Sequence, residues 1–450
     1  MNSNELVQTK ENNVINWKGV LATLVSLSIP TVLEEVLSTL IQYVDTAMVG
    51  RLGEKATASV STTTTVNWLT YALTGAISVA MLAMAAKAMG AKDEKRLKKL
   101  SGQAIFLGFS SGIVIEIIAL VLAPFIPIWM GAEQDIWKPA ATYFAILSTT
   151  LFIRNSSRVF AAMIRATKDT KTPMLISVAE NVLNVVLNAL FIYGLGMGVI
   201  GAAIASAISY GVGGFAMYVA FRRNKYLQCS LNDVKPDAEV IKECVHIGLP
   251  ALGTNIASCL GYVVFAGMVS GMGTTVFAAH SIAVAAEEIV YIPGYGLRVA
   301  TSTLIGNALG EKNERKLNLT RRLSVIITMI IMVINGVLLY IFALPLMSIF
   351  TSSERVAVLG SEMLKLVAFS EPFFGLMIVL EGVAYGMGRT KGVFIIETFS
   401  MWCVRLISTF VCVKILGLDL YAVWLCMIAD NICKAVLLAV TVRPGRLKSD

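Results

Sequence analysis

The feature that most limits what this chain can fold into is a succession of twelve apolar runs separated by short polar stretches. They lie near residues 18–48, 56–86, 97–123, 136–156, 166–193 and 199–222, and again near 239–268, 277–304, 318–344, 355–383, 392–416 and 420–441. A bilayer span takes about 20 mostly apolar residues, so these runs consume most of the 450 residues and leave little for any extramembrane domain. Only 15% of the residues are charged, against about 25% in a soluble domain, which excludes a soluble globule. Helices satisfy their own backbone hydrogen bonds in lipid, so the fold expected is an all-α polytopic membrane protein.

The basic residues give an independent reading of topology. A net charge of +8 could suggest nucleic acid, but Lys and Arg sit in short loops, where they are retained on the cytoplasmic side. One alternating set of segments holds 28 of them: the N-terminus, Lys87–Lys99, Arg154–Lys171, Arg222–Lys242, Lys312–Arg322, Arg389 with Lys391, and the tail Arg443–Lys448. The opposite set holds four, Arg51, Lys55, Lys138 and Arg355. This asymmetry predicts an even number of spans in the cytoplasmic (inner) membrane, with both termini cytoplasmic. The segment Met1–Asn16 is polar, and the apolar stretch after it is too long for a cleaved secretory signal, so it reads as the first span. The seven cysteines, mostly inside apolar runs and without a metal-type pair spacing, read as free core thiols.

An internal repeat comes next. A single constant offset superposes Pro30 on Pro250, Met48 on Met268, Gly53 on Gly273, Gly90 on Gly310, Leu97 on Leu317, Thr170 on Thr390 and Lys171 on Lys391. Six spans is an even number, so both copies start on the same side and are related by a pseudo-twofold axis along the membrane normal. The expected organisation is a first lobe over 1–223, a cytoplasmic linker over 224–238 and a second lobe over 239–450. Two such lobes around a midplane cavity are a transporter architecture.

Several stretches carry a resemblance to a known family. IPTVLEEVLSTLIQYVDTAMVGRLG (29–53) has a proline followed by VDxxMVGxLG. It is followed by AMGAKDEKRLKKL (88–100), ATKDTKTPM (166–174), IGLPA (247–251), AAHSIA (278–283), YIPGYGLRVATSTLIGNALG (291–310) and GMGRTKG (386–392). In order and spacing these resemble the MATE family, the multidrug and toxic compound extrusion transporters, over essentially the whole chain. The resemblance implies twelve helices in two lobes and an antiporter in which inward H+ or Na+ drives export of amphipathic, often cationic compounds, with no cofactor. It implies a cation site built from Asp45 on helix 1, Asn184 and Asn188 on helix 5 and Ser206 on helix 6, with Tyr143 on helix 4 beside it. Asn188 stands where such relatives have a carboxylate and Ser206 where they have Thr. One negative charge fewer makes a weaker Na+ site and favours H+.

Elementary physics singles out Asp45 as well. A carboxylate within an apolar helix costs a few kcal/mol to keep charged, so it pairs, faces water or takes up a proton. Asn184 and Asn188, four apart, share one helical face, and Pro30 gives helix 1 a place to bend. Glu34, Glu35, Trp68, Tyr71, Met163, Asn255, Glu287, Glu371 and Glu381 are the substrate-binding candidates, acids for a cationic group and soft or flat side chains for varied ligands. Glu288 and Glu397 are further second-lobe acids, while Glu116, Glu180 and Asp430 are expected to pair with basic residues. His280 is expected in a hydrogen-bonded packing role.

The competing transport reading is a lipid-linked oligosaccharide flippase, which needs a strongly cationic cavity for pyrophosphate. The embedded charges read as mainly acidic, with Arg298 and Arg405 the main exceptions. A membrane enzyme would need a catalytic cluster, and two isolated histidines, His246 and His280, without HExxH do not provide one. The expected partners are small organic cations and the bilayer, without nucleic acid, and the expected state is a monomer.

Overall fold

The computed structural model describes residues 17–442, excepting the side chains at 64, 65, 68, 69, 71 and 73. Trp68 and Tyr71 thus lie outside the described side chains. The described chain is helical throughout, without a strand. The first half comprises α1 (Trp17–Gly50), α2 (Glu54–Gly90), α3 (Glu94–Leu122), α4 (Trp137–Ser148 continued by Leu151–Ala166), α5 (Lys171–Asn188, continued as a π-helical turn through Gly194) and α6 (Gly198–Arg223). The second comprises α7 (Ala238–Ser270), α8 (Thr274–Gly310), α9 (Glu314–Phe350), α10 (Glu354–Ala368 and Glu371–Gly386, bent by 59°), α11 (Thr390–Phe399, continued with π-helical turns to Ile415) and α12 (Leu420–Thr441). Among the described residues, nine helices are individually long and apolar enough to cross a membrane, and the bent pair of α10 makes a tenth.

The helix α4 corrects the charge reading. Three of the basic residues assigned to a loop between Arg154 and Lys171, namely Arg154, Arg158 and Arg165, lie along Leu151–Ala166 inside the helical bundle. Acids from α1 and α5 surround them, so charge that would mark a loop in an isolated segment is accommodated by tertiary packing. The tally of embedded cations as mainly Arg298 and Arg405 is corrected accordingly, with Lys434 on α12 added.

The duplication is written into the backbone. Left-handed conformations recur at matching positions of the two copies, at Gly53 and Gly273, at Lys92 and Lys312, and at Lys168 and Gly388. The Lys92 and Lys312 turns each end a helix before a polar cap: Asp93 accepts a hydrogen bond from the Arg96 amide at 2.9 Å, and Asn313 accepts one from the Lys316 amide at 2.9 Å. Each cap satisfies an amide that the first turn of a helix leaves without a partner.

The halves meet along α1 and α2 against α7 and α8. At the end that gathers the basic loops the contact is backbone on backbone. A Cβ placed on Gly90 would fall 2.0 Å from the Asn307 carbonyl oxygen, and one on Gly310 would fall 1.9 Å from that of Lys87. Only residues without a side chain allow this approach, and the pseudo-twofold makes it reciprocal. Further along the seam Thr31 donates to the Gly296 carbonyl at 3.0 Å.

The connection between halves is anchored by fully buried Gln103 of α3, whose amide nitrogen donates to the Asp233 and Lys235 carbonyls at 3.0 and 2.6 Å. Its oxygen accepts from the Asp237 amide at 3.1 Å. Arg96 pairs with Glu243, and Lys99 pairs with Asp237 at 2.7 Å. The Lys99 contact holds the Asp237 carboxyl below the usual aspartate range.

Candidate functional site

Helices α1, α5 and α6 bring four polar side chains together in the first half. Asn188 of α5 donates through Nδ2 to Asp45 Oδ1 of α1 at 2.5 Å and to Asn184 Oδ1 at 3.1 Å. Asn184 Nδ2 in turn donates to Ser206 Oγ of α6 at 3.0 Å. The i, i+4 spacing aims both amides one way, and α5 turns π-helical immediately after Asn188, a distortion frequent at functional positions. Asn184, Asn188 and Ser206 are buried, whereas Asp45 is half-buried. The oxygen Asn188 Oδ1 is buried and has no hydrogen-bond partner among the described residues. A single carboxylate, two amide oxygens and a hydroxyl form an oxygen-rich set suited to a proton or a hard monovalent cation. Tyr143 of α4 is buried against Val49, Ile192 and Ala203 beside this cluster and within electrostatic range of Asp45.

A second polar group lies in the same half. Both carboxylate oxygens of Glu34 accept from Arg165 Nη2, at 2.7 and 2.8 Å, so this acid has a structural partner. Glu35 is exposed and within electrostatic range of Arg158 and Arg165 in its own half and of Arg298 across the seam. Glu180 faces Arg154 and Arg158, and Glu116 accepts from the Phe152 amide at 2.9 Å. Arg154 also lies 4.0 Å over the Tyr210 ring.

The second half holds a different arrangement. Arg405 of α11 pairs with Asp430 of α12 at 2.8 Å, and Lys434 bridges Asp430 and Glu397 at 3.2 and 3.0 Å. Arg298 of α8 pairs with Glu381 of α10 at 3.0 Å. Each of these embedded cations has an acid beside it. Glu287 accepts from Tyr291, whose ring stacks on Phe374 at 3.7 Å. Glu371 is fully buried close to Glu287, and neither of its oxygens has a partner among the described residues. Glu288 follows Glu287 on α8 and is exposed.

Other sequence candidates fall elsewhere. Met163 has no exposed surface and belongs to the apolar core around Val159, Phe160 and Phe221, which places it behind the wall of any cavity in this conformation. Asn255 is exposed on α7. His280 packs between Phe265 and Trp424, at 5.5 and 5.8 Å between ring centroids, but its Nδ1 has no partner among the described residues. Aromatic packing, and not the expected hydrogen bond, holds that ring. Sequence reasoning missed Arg165 as the partner of Glu34 and Gln103 as the anchor of the linker. The helical spacing of Arg154, Arg158 and Arg165 was the available signal for the first.

The chain as a whole is similar to known proteins. The family described as MatE matches residues 30–190 and 250–411, two stretches that begin at Pro30 and at its repeat counterpart Pro250. The chain is 30% identical over 419 residues to a probable multidrug resistance protein NorM of Thermotoga maritima, covering 92% of this chain and 90% of that one. It is 25% identical over 428 residues to a probable multidrug resistance protein YoeA of Bacillus subtilis, covering 93% and 92%. Among solved structures, a MOP superfamily transporter from Pyrococcus furiosus, described as having a binding pocket of reverse polarity that suggests a different function, matches with a TM-score of 0.89 at 25% identity over 96% of this chain and 97% of that one. A multidrug resistance MATE transporter in an outward-facing conformation matches in fold with a TM-score of 0.90 at 24% identity, over 96% and 97%.

Proposed function

The chain belongs to the MatE family of membrane transporters, and from that premise we propose that it exports amphipathic, mostly cationic organic compounds from the cytoplasm in exchange for H+, with Na+ the less favoured ion. The observation that carries this reading is the chain of hydrogen bonds from Asp45 through Asn188 and Asn184 to Ser206. With Asp45 charged, the Asn188 amide donates to it. A proton on Asp45 removes that acceptor charge and supplies a donor, so ion binding changes how α1 and α5 hold each other. Pro30 removes a backbone hydrogen bond from α1, giving the helix a place to respond. One carboxylate where a strong Na+ site uses two favours the proton, and the orphaned Asn188 oxygen leaves a position for Na+.

Acids outnumber basic residues among the embedded side chains of both halves, which suits a cationic cargo. Glu35, Glu287, Glu371 and Glu381 are the positions we assign to substrate, Glu35 from the first half and the others from the second. The same charge balance disfavours a pyrophosphate-binding flippase, because Arg165, Arg298, Arg405 and Lys434 are each neutralised by a carboxylate. The glycine seal at the basic end supports alternating access: with that end taken as cytoplasmic, the described conformation is closed inward. Transport by one chain with its site between its own lobes fits a monomer in the inner membrane, with both termini cytoplasmic.

The test is efflux of ethidium from proteoliposomes under a proton gradient or a sodium gradient imposed separately, for wild type and Asp45→Asn. The expected result is export under the proton gradient that Asp45→Asn abolishes. Export under sodium alone refutes the proton assignment, and no export under either gradient refutes the cargo class.

A further inference from the structure

Helices α11 and α12 are joined at several points, and the order of the joints fixes how the two helices face each other. Glu397 pairs with Lys434 at 3.0 Å, the Ser400 hydroxyl donates to the Asp430 carbonyl at 3.1 Å, and Arg405 pairs with Asp430 at 2.8 Å. Residue numbers rise along α11 as they fall along α12, the register of an antiparallel pair. The next joint in that register is Cys412 with Cys426, whose sulfurs lie 3.8 Å apart. Cys412 belongs to the π-helical turn Val411–Ile415, and Cys426 lies within the first two turns of α12.

The backbone sets this meeting. The π-helical turn Ser400–Leu406 lies upstream of Cys412, and a residue inserted into a helix turns everything after it by about 100°. Cys412 is thereby carried onto the side of α11 that α12 covers, where it is half-buried, while Cys426 is buried. Helix α11 starts at the basic end, beside Arg389 and Lys391, so its last turn and the link to α12 lie at the opposite end. With the basic end cytoplasmic, as proposed above, the cysteine pair lies towards the outer surface, the side on which disulfides form and persist.

We propose that Cys412 and Cys426 are a modification site, at which exchange with a small disulfide such as oxidised glutathione forms a reversible bond between α11 and α12. The half-buried Cys412 thiolate attacks one sulfur of the oxidant and releases one glutathione thiolate. The Cys426 thiolate then attacks the Cys412 sulfur and releases the second. The two protein protons pass to the two glutathione thiolates, so two protein thiols are oxidised and one glutathione disulfide is reduced. The sulfurs start in contact, and side-chain rotation carries them to the bonding distance of about 2 Å. The bond lies within one half and does not cross the seam, so it holds the outer ends of α11 and α12 together without locking the halves to each other.

The test treats the purified, reduced full-length protein in detergent with oxidised glutathione, then counts free thiols and maps the peptides by mass. The protein is expected to lose two of its seven thiols, to lighten by two hydrogens and to yield a cross-linked peptide pair carrying Cys412 and Cys426, all reversed by a reductant. In Cys426→Ser the resolving thiol is gone, so a mixed disulfide with glutathione accumulates at Cys412. In Cys412→Ser the buried Cys426 stays reduced. A thermal unfolding transition retained by both variants shows that they are folded. No bond in the wild type, a bond from either cysteine to a different one, or glutathione retained at Cys412 of the wild type overturns the proposal. Protein taken from cells with its thiols blocked at lysis tests the placement separately: a bond present there supports the outer position, and its absence in a protein that forms the bond when purified overturns that position and leaves the pairing standing.

Discussion

The two halves share a backbone but handle charge in opposite ways. The second MatE stretch, 250–411, is one residue longer than the first, 30–190, and the extra residue fits the additional π-helical turn Ser400–Leu406 of α11. Counted so, Asp45 of the first half corresponds to Phe265 and Asn184 to Arg405. The geometry agrees, since the Arg405 guanidinium lies 5.6 Å from the Phe265 ring. Where the first half gathers a carboxylate and amide oxygens, the cluster proposed above for ion exchange, the second fills the position with a cation of its own, tied to Asp430. A duplicated fold therefore yields one half with an acid that has no basic partner beside it among the described residues and one held by an internal ion pair.

The sharpest way to break this comparison is to neutralise the acid in each half. Asp45→Asn is expected to abolish ion-driven efflux while leaving the protein folded, because the half-buried group loses no salt-bridge partner. Asp430→Asn leaves buried Arg405 and Lys434 without their shared acid and is expected to cost about 3–5 kcal/mol of stability. Thermal unfolding beside reconstituted transport separates the two, and equal destabilisation by both substitutions would remove the distinction. Next in size, Gly90→Ala or Gly310→Ala places a methyl group about 2 Å from a carbonyl oxygen of the other half. The expected outcome is a protein unable to close at that end, with efflux reduced by at least tenfold and increased labelling of a cysteine introduced at the seam.

Asn188→Asp sharpens the comparison from the other side. A second carboxylate beside Asp45 is expected to raise Na+ affinity, read as a Na+-dependent rise in transition temperature absent from wild type. Smaller still is the removal of Lys99, whose pairing lowers the Asp237 carboxyl. A lowered acid contributes stability above the ordinary aspartate range and loses it as pH falls through the lowered value. Lys99→Met should therefore bring the acid-side loss of stability to higher pH, and an unmoved pH profile would exclude any contribution from that half-buried pair.

Much of this organisation was legible in the sequence because it rests on period and repetition. Apolar run length locates helices, the constant offset between copies locates the repeat, and the four-residue spacing of Asn184 and Asn188 places two amides on one face. Asp430 was recognisable as an acid needing a basic partner, whereas Glu34 and Glu397 read as site acids and turn out to be paired as well. Their partners were not legible, since nothing local distinguishes Arg165 in a loop from Arg165 on a helix opposite α1. The choice is made by a side chain 131 residues away. The π-helical turns were hidden for a related reason: the inserted residue changes the facing of everything after it without altering composition. Met163 read as a cavity residue because its type suits one, whereas its helical position turns it into the core.

The reciprocal glycines at Gly90 and Gly310 have a consequence for how such a chain can diverge. A seal made by main chain against main chain has no side-chain identity to drift, so either glycine is fixed for as long as the two ends must close. The walls facing the cargo carry no such condition. Selection can then rewrite what the protein carries, residue by residue, while the stroke that carries it stays the same length.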